Sequence, residues 1–372
     1  MQNNTIGRNI FGGCDKLTTI VWQNNVTAIE ERAFAGSHIE QLMIPTTVTR
    51  IGRGAFQGCN KLEHLIIPDS VTEIDANAFA DCTALKDVSL PAGLQHIGSG
   101  AFANCTSLER LTYRGTVIQW CAIRFDSPES NPMYYSHNIY IGDQLTTNVA
   151  LSGVEVIDKY QFYGCSWLKA VTFPDVVKIN DRAFYGCGIT GLQMPTSVEA
   201  IAPNAFERCV ITSLSFAPDT TVISPNMNTF RTTLTSIVIP PSVTKIDDFA
   251  FCSCSELTEI SIPGTVQTIG MCAFSECTKL QSVSILSGVK SIESRAFYKC
   301  SQLASISIPE SVTYIGDEAF AECDSLASVT LPSSIQRIGE EAFVGQVHLE
   351  SVVLPDTGEY TGGEESPFEG DD

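Results

Sequence analysis

The dipeptide Ala-Phe recurs at Phe34, Phe56, Phe79, Phe102, Phe184, Phe206, Phe251, Phe274, Phe297, Phe320 and Phe343. Equivalent Phe residues with another residue before them stand at Phe11, Phe162 and Phe230. Apart from one long gap between Phe102 and Phe162, the step from Phe to Phe is nearly constant. A chain built from copies of so short a unit has few folds open to it. No single copy can bury its own apolar positions, so neighbouring copies must stack and share one continuous core.

The unit is read most clearly from Leu62 to Cys82, LEHLIIPDSVTEIDANAFADC. Leu62, Leu65 and Ile67 give the inward positions of a short strand, closed by Pro68, which cannot donate to a ladder. Val71 and Ile74 form a second inward pair. The Ile-Gly or Ile-Asp that follows, as at Ile51-Gly52 and Ile74-Asp75, reads as a tight turn. Ala-Phe-x-x-Cys is too short for an α-helix and fits one 3₁₀-like turn. With strands about 4.8 Å apart, some fifteen such coils predict a curved rod on the order of 70 Å long.

The pattern L-x-x-I-x-I-P-x-x-V-x-x-I-G-x-x-A-F-x-x-C resembles the leucine-rich repeat of the bacterial surface antigen A (BspA) group, also called the Treponema pallidum type. The resemblance covers about residues 5–355. Departures are few: Ser37, Thr233 and Gln346 replace the Cys, and Ser287 replaces the Pro. The resemblance implies a leucine-rich repeat solenoid of β-rich character. Short parallel strands and 3₁₀ or short helical turns would form a curved, right-handed coil stack. On this reading residues 1–357 form one solenoid, with a long irregular coil at 114–148, and 358–372 form an acidic tail or linker.

The gap between Phe102 and Phe162 holds Trp120, Phe125, Tyr134, Tyr135 and Tyr140. Insertions in solenoids often map to a binding face, and tyrosine is a common interface anchor. The same aromatics equally fit a local mini-core that plugs the place of a missing Ala-Phe-x-x-Cys turn. The chain starts inside a repeat, since Ile6-Gly-Arg-Asn-Ile-Phe11 matches Ile51-Gly-Arg-Gly-Ala-Phe56. No polar capping repeat, basic n-region or apolar h-region precedes it, which predicts a fragment of a longer, exported protein.

Eleven of the 14 cysteines lie three residues after a ladder Phe, so they predict a stack of small, buried, reduced side chains. In-register thiols point in parallel, which fails the disulfide dihedral, and no C-x₂-C pair converges on a metal. The five histidines form no H-E-x-x-H or Cys/His motif, and no nucleophile elbow or phosphate loop occurs. No catalytic, cofactor or metal site is expected. Charged residues make up 17% of the chain and sum to −20, which argues against nucleic acid and polybasic membrane contacts. No run approaches the length of a bilayer span.

Outward strand positions offer the candidate protein-binding surface. Val21, Met43 and Ile66 are apolar there, flanked by Glu40, Glu63, His64, Lys86, Asp87, Glu109 and Arg110, whereas the C-terminal half is mostly Ser and Thr. An exposed apolar patch of this kind marks an interaction, unless further upstream coils cover it. The candidate set is therefore Val21, Met43, Ile66, Glu63, His64, Arg110, Trp120, Tyr134, Tyr135 and Tyr140. The expected protein is non-enzymatic and bacterial, at the cell surface or secreted, and binds another protein. The resemblance implies adhesion to host matrix proteins such as fibronectin and fibrinogen. An intracellular scaffold or regulatory module is the alternative, and an enzyme a distant third.

Overall fold

The computed structural model describes residues 4–22, 25–224, 230 and 233–354, and the backbone of residues 359 and 360. The chain is a leucine-rich repeat solenoid of stacked coils, each contributing two short strands to two parallel sheets. Contacts divide it into two compact units, residues 1–189 with 199–209 and residues 190–198 with 210–372.

In the first unit the front sheet carries the L-x-x-L-x-L strands. Leu42–Met43, His64–Ile66, Asp87–Leu90, Arg110–Tyr113 and Tyr140–Ile141 pair in parallel, and Gln144–Leu145 closes the edge antiparallel. Alternation explains the faces: Leu65, Val88 and Leu111 are buried while Ile66, Ser89 and Thr112 turn outward. A back sheet runs through Thr5–Ile6, Ala28–Ile29, Arg50–Ile51, Glu73–Ile74, His96–Ile97 and Arg124–Phe125. Its inward row is Ile6, Ile29, Ile51, Ile74, Ile97 and Phe125. Of the Val and Ile expected as an inward pair, Ile74 thus belongs to a second strand, Glu73–Ile74, too short for periodicity to reveal, and the buried Val71 precedes it. After residue 148 new front and back sheets begin, with Asn148–Ala150 beside Ala170–Thr172 and Val156–Ile157 beside Lys178–Ile179 and Ala200–Ile201.

The second unit repeats this plan. Its front strands include Glu259–Ile262, Ser282–Ile285, Ser305–Ser307, Ser328–Thr330 and Ser351–Val353. Its back sheet runs from Val222–Ile223 to Glu359–Tyr360. Within the region expected as an acidic tail, residues 359 and 360 therefore pair with Arg337–Ile338, and the rest of 358–372 lies outside the described residues.

The Ala-Phe turns join the coils. Around Phe34 the amides of Arg32, Phe34 and Gly36 donate to the carbonyls of Arg53, Ala55 and Gln57 in the next coil at 2.7–2.9 Å. This requires left-handed backbone two residues before and two after the Phe, as at Arg32 and Gly36 or at Asn77 and Asp81. Bonds from residue i+3 to residue i, such as Cys59 N–H to Phe56 O, tighten each turn. The rings stack coil on coil: Phe34, Phe56 and Phe79 have centroids 5.4 Å apart, and Phe297, Phe320 and Phe343 5.2 Å apart. Gly52 has a close-packing role, since a Cβ there would lie 2.7 Å from the Ile29 carbonyl oxygen of the preceding coil.

The long coil heals the stack. Where the Phe102 turn meets no Ala-Phe partner, the amides of Gly100, Phe102 and Asn104 donate to Ser127 Oγ, Glu129 O and the Tyr135 hydroxyl. On its other side, Trp120 Nε1 and Asn131 Nδ2 donate to the carbonyl of Gln161, at 2.8 and 3.2 Å. A five-residue helix, Val117–Cys121, places Trp120; Thr116 and Gln119 form its capping box. Trp120 packs edge-on against Tyr113 and beside Phe125, both buried.

Candidate functional site

Register decides which of the candidate residues meet. Met43 and Ile66 hold equivalent places on successive front strands, and Val21 stands two residues past an isolated Thr19–Gln41 bridge as Met43 stands two past Gln41. The row continues through Ser89 and Thr112 to Tyr140. Solvent reaches 87% of Val21, 82% of Met43 and 64% of Ile66. Each is held outward because the residue before it, such as Leu42 or Leu65, fills the core.

Beside this apolar row lies a polar one, two residues earlier along the strands: Gln41, His64, Asp87 and Arg110. His64 Nδ1 is hydrogen-bonded to Asp87 Oδ2. One position further back stand Glu40, Glu63, Lys86 and Glu109. Lys86 Nζ donates to Glu63 Oε2 at 2.7 Å. That bond lowers the pKa of Glu63 and raises that of Lys86, so the pair stays ionised across the neutral range. At the far end the Arg110 guanidinium lies 3.8 Å from the centroid of the Tyr140 ring. Val21, Met43, Ile66, Glu63, His64, Arg110 and Tyr140 therefore share one sheet face.

The other three candidates sit elsewhere. Trp120 is completely buried, so it offers nothing to a partner; its indole belongs to the mini-core. Tyr134 and Tyr135 are half-buried on the turn side, where Tyr134 stacks on Tyr163 and Tyr163 on Tyr185, with centroids 5.6 and 4.4 Å apart. These rings cover one another, and the Tyr135 hydroxyl accepts the Asn104 amide. Both positions complete the coil stack.

Arg114 was invisible to pattern reading because it lies past the strand motif. Its guanidinium folds back to Ser89 Oγ, Asp69 Oδ1 and the Ile67 carbonyl at 2.6–2.7 Å, bordering the apolar row beside Ile66. The second unit's front face is plainer, with exposed Ser282, Ser284, Ser305, Ser307, Ser328 and Thr330. Among the described residues no group of three or more His, Cys, Asp or Glu could hold a metal ion, and no helix is long and apolar enough to cross a membrane. All 14 cysteines are free thiols.

The repeat geometry has counterparts among known proteins. The family model of the BspA type leucine rich repeat region, in six copies, matches residues 4–128, 155–264 and 244–365. No curated protein matches the chain. Among solved structures, a leucine-rich repeat protein from Bacteroides ovatus is 24% identical over 97% of this chain and 78% of its own, with a TM-score of 0.44. A leucine rich cell surface protein from Faecalibacterium prausnitzii is 26% identical over 94% and 87%, with a TM-score of 0.37. The T. pallidum leucine rich repeat protein is 33% identical over 39% and 59%, with a TM-score of 0.31. With its repeats matched over most of their length, the chain belongs to the BspA-type leucine-rich repeat family.

Proposed function

We propose that this chain is a non-enzymatic binding protein of a bacterial surface or secretion, and that its first unit engages a protein partner through the front sheet. The observation that carries this reading is the row of Val21, Met43 and Ile66, three large apolar side chains left in water on adjacent coils. A monomer has no use for such a row, and it stands on a rigid, hydrogen-bonded platform, the setting in which exposed apolar surface marks an interface. Membership in the BspA-type family supports the surface setting and makes adhesion to host matrix proteins the first hypothesis to test. Immobilised fibronectin and fibrinogen serve as the opening panel for surface plasmon resonance. Binding by the wild type that is lost in a folded Met43→Glu, Ile66→Glu variant supports the reading. Binding that survives those changes counts against this face, and no binding across a broad matrix panel counts against adhesion.

The free thiols favour one second reading, an intracellular scaffold, because a reducing compartment keeps thiols as they are here. Fractionation of the producing cell separates the two.

A further inference from the structure

The geometry points to one kind of occupant for this face, an amphipathic α-helix with a basic flank, lying across the strands; this rests on the front sheet being the binding surface. Met43 and Ile66 stand on successive strands and Val21 lies in register with them through the Thr19–Gln41 bridge, so at steps of about 4.8 Å the first and third of the row are roughly 10 Å apart. An extended chain repeats its side chains on one face every ~6.8 Å and falls out of step with that spacing. Helical side chains at i, i+4 and i+7 rise by about 6 and 10.5 Å, within about 1.2 Å of the rungs, where an extended chain is about 2 and 4 Å away. Beyond Ile66 the row falls to Ser89 and Thr112, small groups that let a helix continue, and it ends at the Tyr140 ring under Arg110. Five strand steps from Val21 to Tyr140 span about 24 Å, the length of roughly sixteen helical residues.

Charge fixes the helix's flank. Glu40, Glu63 and Glu109 occupy equivalent places three residues before Met43, Ile66 and Thr112, so a carboxylate row runs parallel to the apolar row about 10 Å to one side. Lys86 stands within that row and is already tied to Glu63. A helix seated on the apolar row would therefore meet net negative charge along one side, and the whole chain carries −20. Lys or Arg on that side of the helix is complementary; Asp or Glu is repelled. A second copy of this chain would bring its own acidic row and lacks any long amphipathic helix among its described residues.

The test uses the full chain and synthetic sixteen-residue peptides followed by fluorescence anisotropy. One has Leu at i, i+4, i+7 and i+11 with Lys along one flank. A second has the same composition alternating Leu and Lys, and a third has Glu for Lys. The first should bind at micromolar concentration, and the other two at least tenfold more weakly. A Met43→Ser, Ile66→Ser variant with unchanged thermal unfolding should lose at least tenfold, and Glu40→Gln, Glu63→Gln several-fold. Equal binding by the alternating peptide overturns the helical occupant. Binding that ignores Met43→Ser, Ile66→Ser overturns it too, leaving only a cation drawn to an acidic chain. A dimer of the wild type in gel filtration that dissociates with Met43→Ser, Ile66→Ser names a second copy as the occupant instead. Should a matrix protein bind through Met43 and Ile66 while the helical peptide does not, the occupant is wrong and the surface remains.

Discussion

The ladder thiols act as hydrogen-bond donors as well as filler. Phe56 O accepts the amide of its own coil's Cys59 and then the thiol of the next coil, Cys82 Sγ at 3.3 Å, and the Phe79 and Phe274 carbonyls repeat this with Cys105 and Cys300. Two of the three substitutes keep the donor, Ser37 Oγ to Phe11 O and Gln346 Nε2 to Phe320 O, whereas Thr233 Oγ1 donates instead to the Ile211 carbonyl. Burial raises the pKa of Cys59, Cys105, Cys165 and Cys254 to about 12. A thiol raised by folding contributes stability that is complete below its unfolded value of ~8.5 and is lost as pH climbs toward the folded value. The melting temperature should therefore fall between pH 8 and 10.5. A Cys59→Ser, Cys105→Ser variant should fall less steeply over the same window, and equal slopes would reject the cause. Native labelling with a thiol reagent should modify exposed Cys14 first and half-buried Cys121 and Cys252 slowly. The eleven buried thiols should react only after denaturation, and fast reaction of the whole set would contradict the packing.

At the scale of the element, two devices hold neighbouring coils in step: the Phe stack and the healed long coil. Phe297 is fully buried with a ring on either side, so Phe297→Ala should cost about 3–5 kcal/mol by equilibrium denaturation. Because Phe320 shares its contact, the double variant Phe297→Ala, Phe320→Ala should depart from additivity by roughly 0.5–1.5 kcal/mol. Asn131 is also fully buried; its side chain donates to the carbonyls of Tyr160 and Gln161 and accepts the Met133 amide. Asn131→Ala leaves these groups short of partners, at about 1–3 kcal/mol for a group left unsatisfied. A loss below ~0.5 kcal/mol would mean the long coil is not what joins the stacks. These elements differ in how far the sequence revealed them. The front strands and Phe turns were legible because their apolar positions recur at a nearly constant spacing, once for every ladder Phe. The back sheet was not, since two residues give no alternation to read. The bonds of Trp120, Asn131 and Tyr135 were not either, because their partners lie far along the chain and follow no repeat. At the candidate site, the apolar row came straight from the repeat, whereas only register separated Tyr140, which joins it, from Trp120, which is buried.

In the whole molecule, stability is organised along the stack. Within each unit the coils hydrogen-bond and pack on one another in sequence, so a defect should weaken its neighbours first and fade with distance, as in nearest-neighbour repeat energetics. The low content of charged residues follows from the same plan, since most positions of a short coil are core, turn or Ser and Thr of the outer face. The charge that remains is mostly acidic, a net −20. Amide hydrogen exchange reads the gradient directly. Phe56→Ala removes a fully buried ring from the first unit, and Phe297→Ala does the same in the second. Phe56→Ala should speed exchange in the strands His64–Ile66 and Leu42–Met43 by tenfold or more. The size follows because every ~1.4 kcal/mol of local stability lost raises the open population about tenfold. It should leave Ser282–Ile285 and Ser305–Ser307 close to the wild type, and Phe297→Ala should show the reverse. Uniform acceleration in both units by either change would mean that the chain opens as one cooperative block. The proposed binding face would then share its rigidity with coils far from it, rather than drawing it from the coils that carry Val21, Met43 and Ile66.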